Sequence, residues 1–302
     1  MNYEQLQLAV MDAYRQVEDP TQVLAIMDQF IETAQGSELG QALCLKASFL
    51  MHHDQRRCAE GLGLVEEALA VAEGDPGLQM KCVVDGLGFC YAMGDLERAR
   101  RYEFLGHRLL REFSAVPSVL MMAHRMYANL SHIATLRQEH TQAYWHLVQG
   151  TQGLLALPED NPEVRSFRFL FYIRTGEVCV EMGRSPEAED ALLKAKGYAQ
   201  SSMDNITWQI FWTAYLQSVN HHDTAAEILD DLIEQETPEW RPSVRVFMHL
   251  TRSMVAQARG EMRKFHIHLG KAQDIAITHA VDFMLCRIQR VMRSPVRLEA
   301  AK

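Results

Sequence analysis

Apolar residues recur along the chain at the spacing of an α-helix. In "LGLVEEALAVAE", Leu62, Val65 and Leu69 lie on one stripe and the glutamates lie off it. The segment "AEILDDLIEQE" repeats the arrangement with Leu229 and Leu232. No stretch sustains the alternation of a half-buried strand between hairpin turns. The pattern therefore predicts an all-α protein.

Prolines predict where many of these helices begin. The segments "DPTQ", "DPGL", "NPEV", "SPEA" and "TPEW" each place a capping side chain before a proline of the first turn. Pro76 and Pro117 are 41 residues apart, and Pro117 and Pro162 are 45 apart. Pro238 follows Pro162 by 76 residues, close to two periods. A period of about 40 residues in an all-helical chain is typical of a helical-repeat array.

Small residues recur inside the period. The segments "YAMGDLERARRYEFLG" and "VEMGRSPEAEDALLKA" share a Met-Gly turn, and a pair of small residues seven apart follows it. Residues seven apart share a helix face, so small ones let the next helix approach closely. The strong pairs are Ala99 with Gly106 and Ala188 with Ala195; the weaker ones are Gly61 with Ala68, Ala143 with Gly150, Ala225 with Leu232 and Phe265 with Ala272.

The chain resembles the tetratricopeptide repeat family over about residues 40–275. The turn of Gly94 and Asp95 with the following Ala99 carries the resemblance, as does the series Gly176, Gly183, Ala188 and Ala195. Two features differ from the family. The period is about 37–45 residues rather than 34, and most of the signature of the first helix is lost. At its small eighth position stand Leu87, Ser131, Gly176, Thr213 and Ser253.

The resemblance implies a right-handed superhelical array of helix-turn-helix repeats, with about six helix pairs plus end helices. We expect one α-solenoid domain over residues 1–302. Residues 1–36 would form capping helices, 37–277 the repeats, and 278–302 a C-terminal helix and tail. Long, degenerate repeats of this kind are similar to those in the sensory regions of bacterial transcription regulators and in peptide-pheromone receptors.

Composition narrows the function classes. The chain has 302 residues, is 48% hydrophobic and carries a formal net charge of −9. An acidic chain is a poor general binder of nucleic acid or anionic membrane, and the N-terminal helices are too acidic for a DNA-reading helix. There is no apolar run long enough for a membrane span, and the N-terminus "MNYEQLQLAV" does not resemble a signal peptide. Six cysteines without a CxxC pair suit a reducing compartment, so we expect a cytoplasmic protein.

Two His-His-Asp triplets, at 52–54 and 221–223, raise the question of a metal site. Each lies where one helix ends and the next begins, several repeats apart, and in a solenoid each repeat contacts only its neighbours. We therefore interpret them as turns, with the histidine favoured at a helix C-terminus and the aspartate as a helix cap. His266 and His268 would face different directions. No phosphate-binding, dinucleotide, zinc-hydrolase or nucleophile-elbow motif is present, so we expect no metal, no cofactor and no catalysis.

The concave groove is the candidate site that the resemblance implies. In such arrays the first helix of each pair lines the groove, and Asn and Arg suit peptide backbones and carboxylates respectively. The family's own carboxylate-clamp pattern is not reproduced, and solvated groove residues without a ligand are the alternative. The groove positions are Lys81, Tyr91, Arg125, Asn129, His132, Arg174 and Glu177.

Three functions stay open at the level of sequence. The leading hypothesis is a non-catalytic bacterial regulatory or adaptor module that binds a protein or peptide segment, and homo-oligomers would be compatible with it. The second is a receptor for a short signalling peptide or small molecule, and the third is an enzyme without a recognisable motif. The basic C-terminal segment either contacts an acidic partner or is a solvated helix end; its charges are Arg287, Arg290, Arg293, Arg297 and Lys302.

Overall fold

The computed structural model of the protein describes residues 2–16, 20–53 and 55–293, and these ranges confirm the all-α prediction. They contain fifteen α-helices, a short 3₁₀ turn at Gln55–Arg57 and no strand. None of the helices in the described ranges is both long and apolar enough to span a bilayer. The helices are α1 Tyr3–Gln16, α2 Pro20–Ile31, α3 Gly36–His53, α4 Cys58–Val71, α5 Pro76–Met93, α6 Leu96–Glu112, α7 Pro117–Leu136, α8 His140–Leu155, α9 Pro162–Glu181, α10 Ser185–Tyr198, α11 Ser202–Ser218, α12 His222–Glu234, α13 Pro242–Ala258, α14 Met262–Thr278 and α15 Asp282–Arg293.

The chain divides into two compact units, unit 1 over Met1–Ile133 and unit 2 over Ala134–Lys302. In unit 1, helices α1, α3 and α5 pack side by side, and α2 and α4 contact them from the other layer. In unit 2, helices α9, α11, α13 and α15 form one layer, and α10, α12 and α14 pack between their neighbours in the other. Each unit is therefore built from helix pairs in two layers.

The odd-numbered helices keep a regular period. Their starts at Gly36, Pro76, Pro117, Pro162, Ser202, Pro242 and Asp282 are 40 to 45 residues apart. The caps explain several of these starts. The Asp75 carboxylate accepts the Leu78 amide at 2.9 Å, and the Asn161 side chain accepts the Glu163 amide at 2.9 Å.

Two proline predictions were wrong. Pro238 lies in a turn before α13, which begins instead at Pro242, so the period runs through Pro242. Ser185 is the first helical residue of α10 rather than its cap, a position taken by Arg184. Pro242 satisfies the rule for a proline in the first turn, but the cap residues Arg184 and Arg241 make no side-chain cap hydrogen bond.

The turns within the pairs are built alike. Gly94, Gly183 and Gly260 have φ values of 68°, 69° and 74°, in the left-handed region that glycine adopts without strain. After each, the next amide bonds back to the preceding helix, as in Asp95 N to Cys90 O at 2.9 Å. Gln138 and Asn220 take the same place with φ of 63° and 64°. The same helix ending therefore recurs in each of these five helix pairs.

The small residues seven apart lie on the even-numbered helices and are buried. Ala99, Ala143, Ala188 and Ala195 are at most 1% exposed. A Cβ on Gly106 of α6 would lie 2.4 Å from the Met126 sulfur of α7, so the α7 side chain packs directly against the α6 backbone. The sequence interpretation of close helix approach is confirmed.

Candidate functional site

Five of the predicted groove residues lie in unit 1, on the neighbouring helices α5 and α7. Lys81 and Tyr91 belong to α5, and Arg125, Asn129 and His132 belong to α7. All five side chains are half-buried. Two contacts bring the helices together here, so the five positions form one surface, which we call the α5–α7 face.

Asn129 joins the two helices. Its side-chain nitrogen donates to the Val84 carbonyl oxygen at 2.8 Å. Gly88 lies one turn further along α5, and a Cβ on it would be 3.7 Å from the same nitrogen. The bond uses one of the amide's hydrogen-bonding positions and fixes the orientation of the group. Asn129 is thus part of the helix packing as well as of the face.

Tyr91 and His132 form a ring contact across the same two helices. Their centroids are 4.7 Å apart at an interplanar angle of 30°. Arg125 precedes Asn129 by one turn, so the two side chains share a face of α7. With Lys81, the α5–α7 face therefore combines two cations, an amide and two rings.

Lys81 is held as a cation. Its ammonium group donates to the Asp85 carboxylate at 2.8 Å, one turn along α5. Burial alone would lower the pKa of Lys81, but the Asp85 charge outweighs it and the pKa stands above its ordinary value. Tyr3 of α1 lies close enough to feel this charge, although burial is the main reason that the pKa of its phenol is raised.

The other two predicted groove residues lie in unit 2 on α9. Glu177 is 6% exposed and pairs with both Arg174 and Arg287, the latter from α15. Arg174 also donates to the Thr135 hydroxyl at 3.3 Å. Burial would raise the pKa of Glu177, but the two guanidinium groups outweigh it and the pKa lies below its usual range. The Glu177 carboxylate is engaged within unit 2.

Unit 2 contains a second polar cluster, which the sequence analysis did not predict. The His249 ring lies 3.0 Å from the Glu236 carboxylate and 3.2 Å from the His268 ring. Arg245 donates to the same carboxylate at 2.6 Å. Burial lowers the pKa of His268 to about 4 and lowers that of His249 as well. His249 is only 1% exposed. The local sequence of α13 does not indicate this cluster, because Glu236 lies between α12 and α13 and His268 belongs to α14.

Of the two His-His-Asp triplets, the structure describes the second in full and the first only in part. Asp54 lies outside the described residues. In the second triplet His221 is the cap residue of α12, and Asp223 lies in its first turn. The expectation that Asp223 caps the helix was wrong; its carboxylate instead pairs with Arg259 at 3.2 Å. Within the described ranges, no three His, Cys, Asp or Glu side chains are placed to hold a metal ion.

The C-terminal charges also separate. Arg287 belongs to the Glu177 cluster and stacks over the Phe247 ring at 5.7 Å. Arg290 and Arg293 lie in the last turn of α15. Arg297 and Lys302 lie outside the described residues. At Arg287 the basic segment therefore has a packing role inside unit 2.

Comparison with known proteins identifies the fold. No protein-family model and no curated protein matches the chain. A crystal structure of a tetratricopeptide repeat protein from Parabacteroides merdae is similar, with a TM-score of 0.58 at 12% identity over 95% of this chain and 98% of that one. The chain has a tetratricopeptide-like helical-repeat fold. A structure titled phAimR-Ligand aligns over 95% of this chain and 87% of that one, at 12% identity. Its TM-score of 0.40 is too low to bear on fold or function.

Proposed function

We propose that this chain is a non-catalytic binding module that holds a segment of a partner protein on the α5–α7 face. The observation that carries the proposal is the grouping of Lys81, Tyr91, Arg125, Asn129 and His132 on two adjacent helices, all half-buried. Half-buried polar groups on a rigid scaffold lose little freedom when a ligand binds, which favours recognition.

The chemistry of the face suits a peptide with at least one carboxylate. Arg125 offers a planar fork for bidentate pairing with a carboxylate, and Lys81 adds a second cation. The Asn129 amide suits a peptide backbone, since one group both donates and accepts. Tyr91 and His132 offer rings against which an apolar or aromatic side chain can pack.

The proposed setting is a regulatory or adaptor role in the bacterial cytoplasm. All six cysteines are free thiols, and the Cys44 and Cys82 sulfurs lie 3.6 Å apart without a bond. Five of the six are buried and Cys286 is exposed. Free thiols suit a reducing compartment. The fold supports an interaction role because helical-repeat arrays present extended binding surfaces.

Site-directed crosslinking tests the location of the partner. With p-benzoylphenylalanine in place of Tyr91, we expect light to join the full-length protein to a partner in cells, and mass spectrometry to identify the attached segment. The same reporter in place of Leu193, which is 53% exposed on α10, serves as the control and should not capture that partner. Equal capture from both positions would contradict the proposed face.

The captured segment, made as a synthetic peptide, allows a quantitative test. In calorimetry Arg125→Glu should weaken binding by at least about tenfold, because a carboxylate would then meet a like charge. The matched control is Arg263→Glu, the same change at an exposed site on α14. Unchanged affinity of the Arg125 variant would overturn the role of the face. If only a small molecule copurifies, native mass spectrometry will show it, and the receptor hypothesis replaces this one.

A further inference from the structure

The other layer of unit 1 carries an unusual charge pattern for an acidic chain. Helix α6 has five exposed arginines, with exposed Glu97 and Glu112 at its ends and half-buried Glu103 near its middle. Helix α4 beside it has no basic residue, and three exposed glutamates lie along it with a fourth just after its end. The arginines are Arg98, Arg100, Arg101, Arg108 and Arg111, and the glutamates are Glu60, Glu66, Glu67 and Glu73. A basic and an acidic ridge therefore run side by side; we call this surface the α4–α6 face.

A hollow of about 450 Å³ separates the two ridges. Its floor is apolar, formed by Leu69, Ala70, Leu105 and the ring of Tyr102, and its rim is charged, formed by Glu66, Arg98 and Arg101. The Tyr102 ring packs against α5, where a Cβ on Gly86 would lie 2.5 Å from it. At Tyr102 the floor is therefore held in place by the core of unit 1.

The same face carries an apolar side chain that projects into solvent. Phe104 on α6 is 67% exposed, the largest value among the big hydrophobic side chains of the described residues. It stands between Arg101 and Arg108, one turn from each. A phenyl ring left in water is costly to hydrate, so its burial in a partner would stabilise the contact.

We propose that the α4–α6 face is a dimerisation surface for a second copy of this chain. A two-fold axis pairs a surface with itself, so the surface must be its own complement. This face meets that condition, because it has an apolar projection beside an apolar hollow and an acidic ridge beside a basic one. Phe104 of each copy enters the hollow of the other, and α6 of one copy lies along α4 of the other.

The size of the face sets the strength of the contact. Helix α6 has 17 residues, so it is about 25 Å long. A patch two helices wide buries on the order of 500 Å² per copy, at the lower end of specific interfaces. The dimer is therefore reversible, and it leaves the α5–α7 face, on the other layer of unit 1, out of the contact. This inference does not rest on the proposed peptide binding.

Sedimentation velocity of the full chain over a concentration series tests the dimer. Wild type should sediment increasingly as a dimer toward about 100 µM, and Phe104→Asp should weaken dimerisation at least about tenfold. Leu193→Asp, at another exposed apolar side chain, is the matched control and should behave as wild type. Circular dichroism checks that each variant is folded, which an exposed position should allow.

Charge reversal tests the pairing of the ridges. Arg101→Glu alone and Glu66→Arg alone should each weaken the dimer, and the double variant should restore it, because the pair that Arg101 of one copy forms with Glu66 of the other then has its charges exchanged. A wild-type monomer throughout the concentration series would overturn the proposal. So would a dimer that Phe104→Asp leaves intact, or one that the Leu193 control weakens equally.

Discussion

At the scale of single residues, the fold depends on places where a side chain would not fit. A Cβ on Gly150 of α8 would lie 2.2 Å from the Phe171 ring, and one on Gly61 of α4 would lie 2.4 Å from the Phe89 ring. Both rings are at most 2% exposed, so a shift of either ring would disturb the packed core around it. At Gly61 and Gly150 the small residue is thus required by an aromatic side chain of the next odd-numbered helix, and at Gly106 by Met126.

Gly150→Ala tests this requirement. We expect a loss of about 1–3 kcal/mol in the free energy of unfolding, because overpacking forces the ring or the helix to shift. Gly153→Ala in the same helix is the control, since nothing lies within 4 Å of its Cβ. At that position alanine should raise the free energy of unfolding by up to about 1 kcal/mol, because alanine has a higher helix propensity than glycine. Urea denaturation measures both; a Gly150 variant as stable as the control would contradict the close approach.

At the scale of the helix pairs, the common turn explains why the repeat is hard to see in the sequence. The left-handed residue is glycine in three turns, Gln138 in the turn after α7 and Asn220 in the turn after α11. The backbone bonds of these turns are the same, as in Glu139 N to Ala134 O at 2.9 Å. The backbone geometry of the turn is therefore the same in the five turns, although the residue in the left-handed position is glycine in only three of them.

Gln138→Gly should therefore stabilise the protein by about 1 kcal/mol, because a side chain in the left-handed region costs about that much. Asn220→Gly should gain less, since asparagine tolerates the region. Gly183→Ala is the reverse case and should lose a similar amount. Thermal denaturation ranks the three variants by stability. A Gln138→Gly variant less stable than wild type would contradict the prediction and show that contacts of the glutamine side chain outweigh the strain of its backbone.

Local rules predicted much of this architecture, because a helix stripe, a proline start and a glycine turn are set by neighbouring residues. They failed where two local solutions compete. Helix α11 begins without proline, through a capping box in which Ser201 and Asp204 bond to each other's backbone. Pro238 satisfied the rule for a helix start but lies in a turn.

The site was predictable only in part, for a related reason. The frame of the tetratricopeptide resemblance, in which the first helix of each pair lines the groove, predicted Lys81, Tyr91 and Asn129 as groove residues, and they lie on α5 and α7. It could not place Arg287 against Glu177, 110 residues earlier, because that contact depends on how successive repeats rotate. The His249 and His268 pair was missed because its rings come from α13 and α14.

At the scale of the whole molecule, the two units can be followed separately. All four tryptophans lie in unit 2, at positions 145, 208, 212 and 240. Tryptophan fluorescence therefore reports the unfolding of unit 2, while far-ultraviolet circular dichroism reports helices of both units. Repeat arrays gain stability mainly from neighbouring repeats, so the two signals need not change together.

The histidine pair makes unit 2 sensitive to acid. Burial, then the charges of His249, Arg252 and Lys271, lower the pKa of His268 from 6.5 to about 4. Unfolded histidine therefore binds a proton that folded His268 does not. Stability is fully present above pH 6.5 and is lost progressively as the pH falls toward 4.

Other groups around the pair contribute to the acid response. The Arg252 ion pair lowers the pKa of Asp230, and Arg245 and His249 outweigh burial to lower that of Glu236, so these carboxylates add losses only at more acidic pH. Burial, with the Glu177 charge, raises the pKa of Glu181, which acts in the opposite direction as the pH falls. A variant is needed to isolate the histidine.

His268→Gln removes the titrating ring and keeps a polar side chain near His249. Between about pH 7.5 and about pH 5, wild type should lose on the order of 1–2 kcal/mol more than the variant. The loss should appear in the fluorescence midpoint of urea denaturation, because the pair belongs to unit 2. His266→Gln, an exposed neighbour on α14, is the control and should keep the wild-type slope. Equal pH slopes in wild type and His268→Gln would show that the pKa of His268 does not differ between the folded and unfolded states. The loss of stability in acid would then come from the carboxylates.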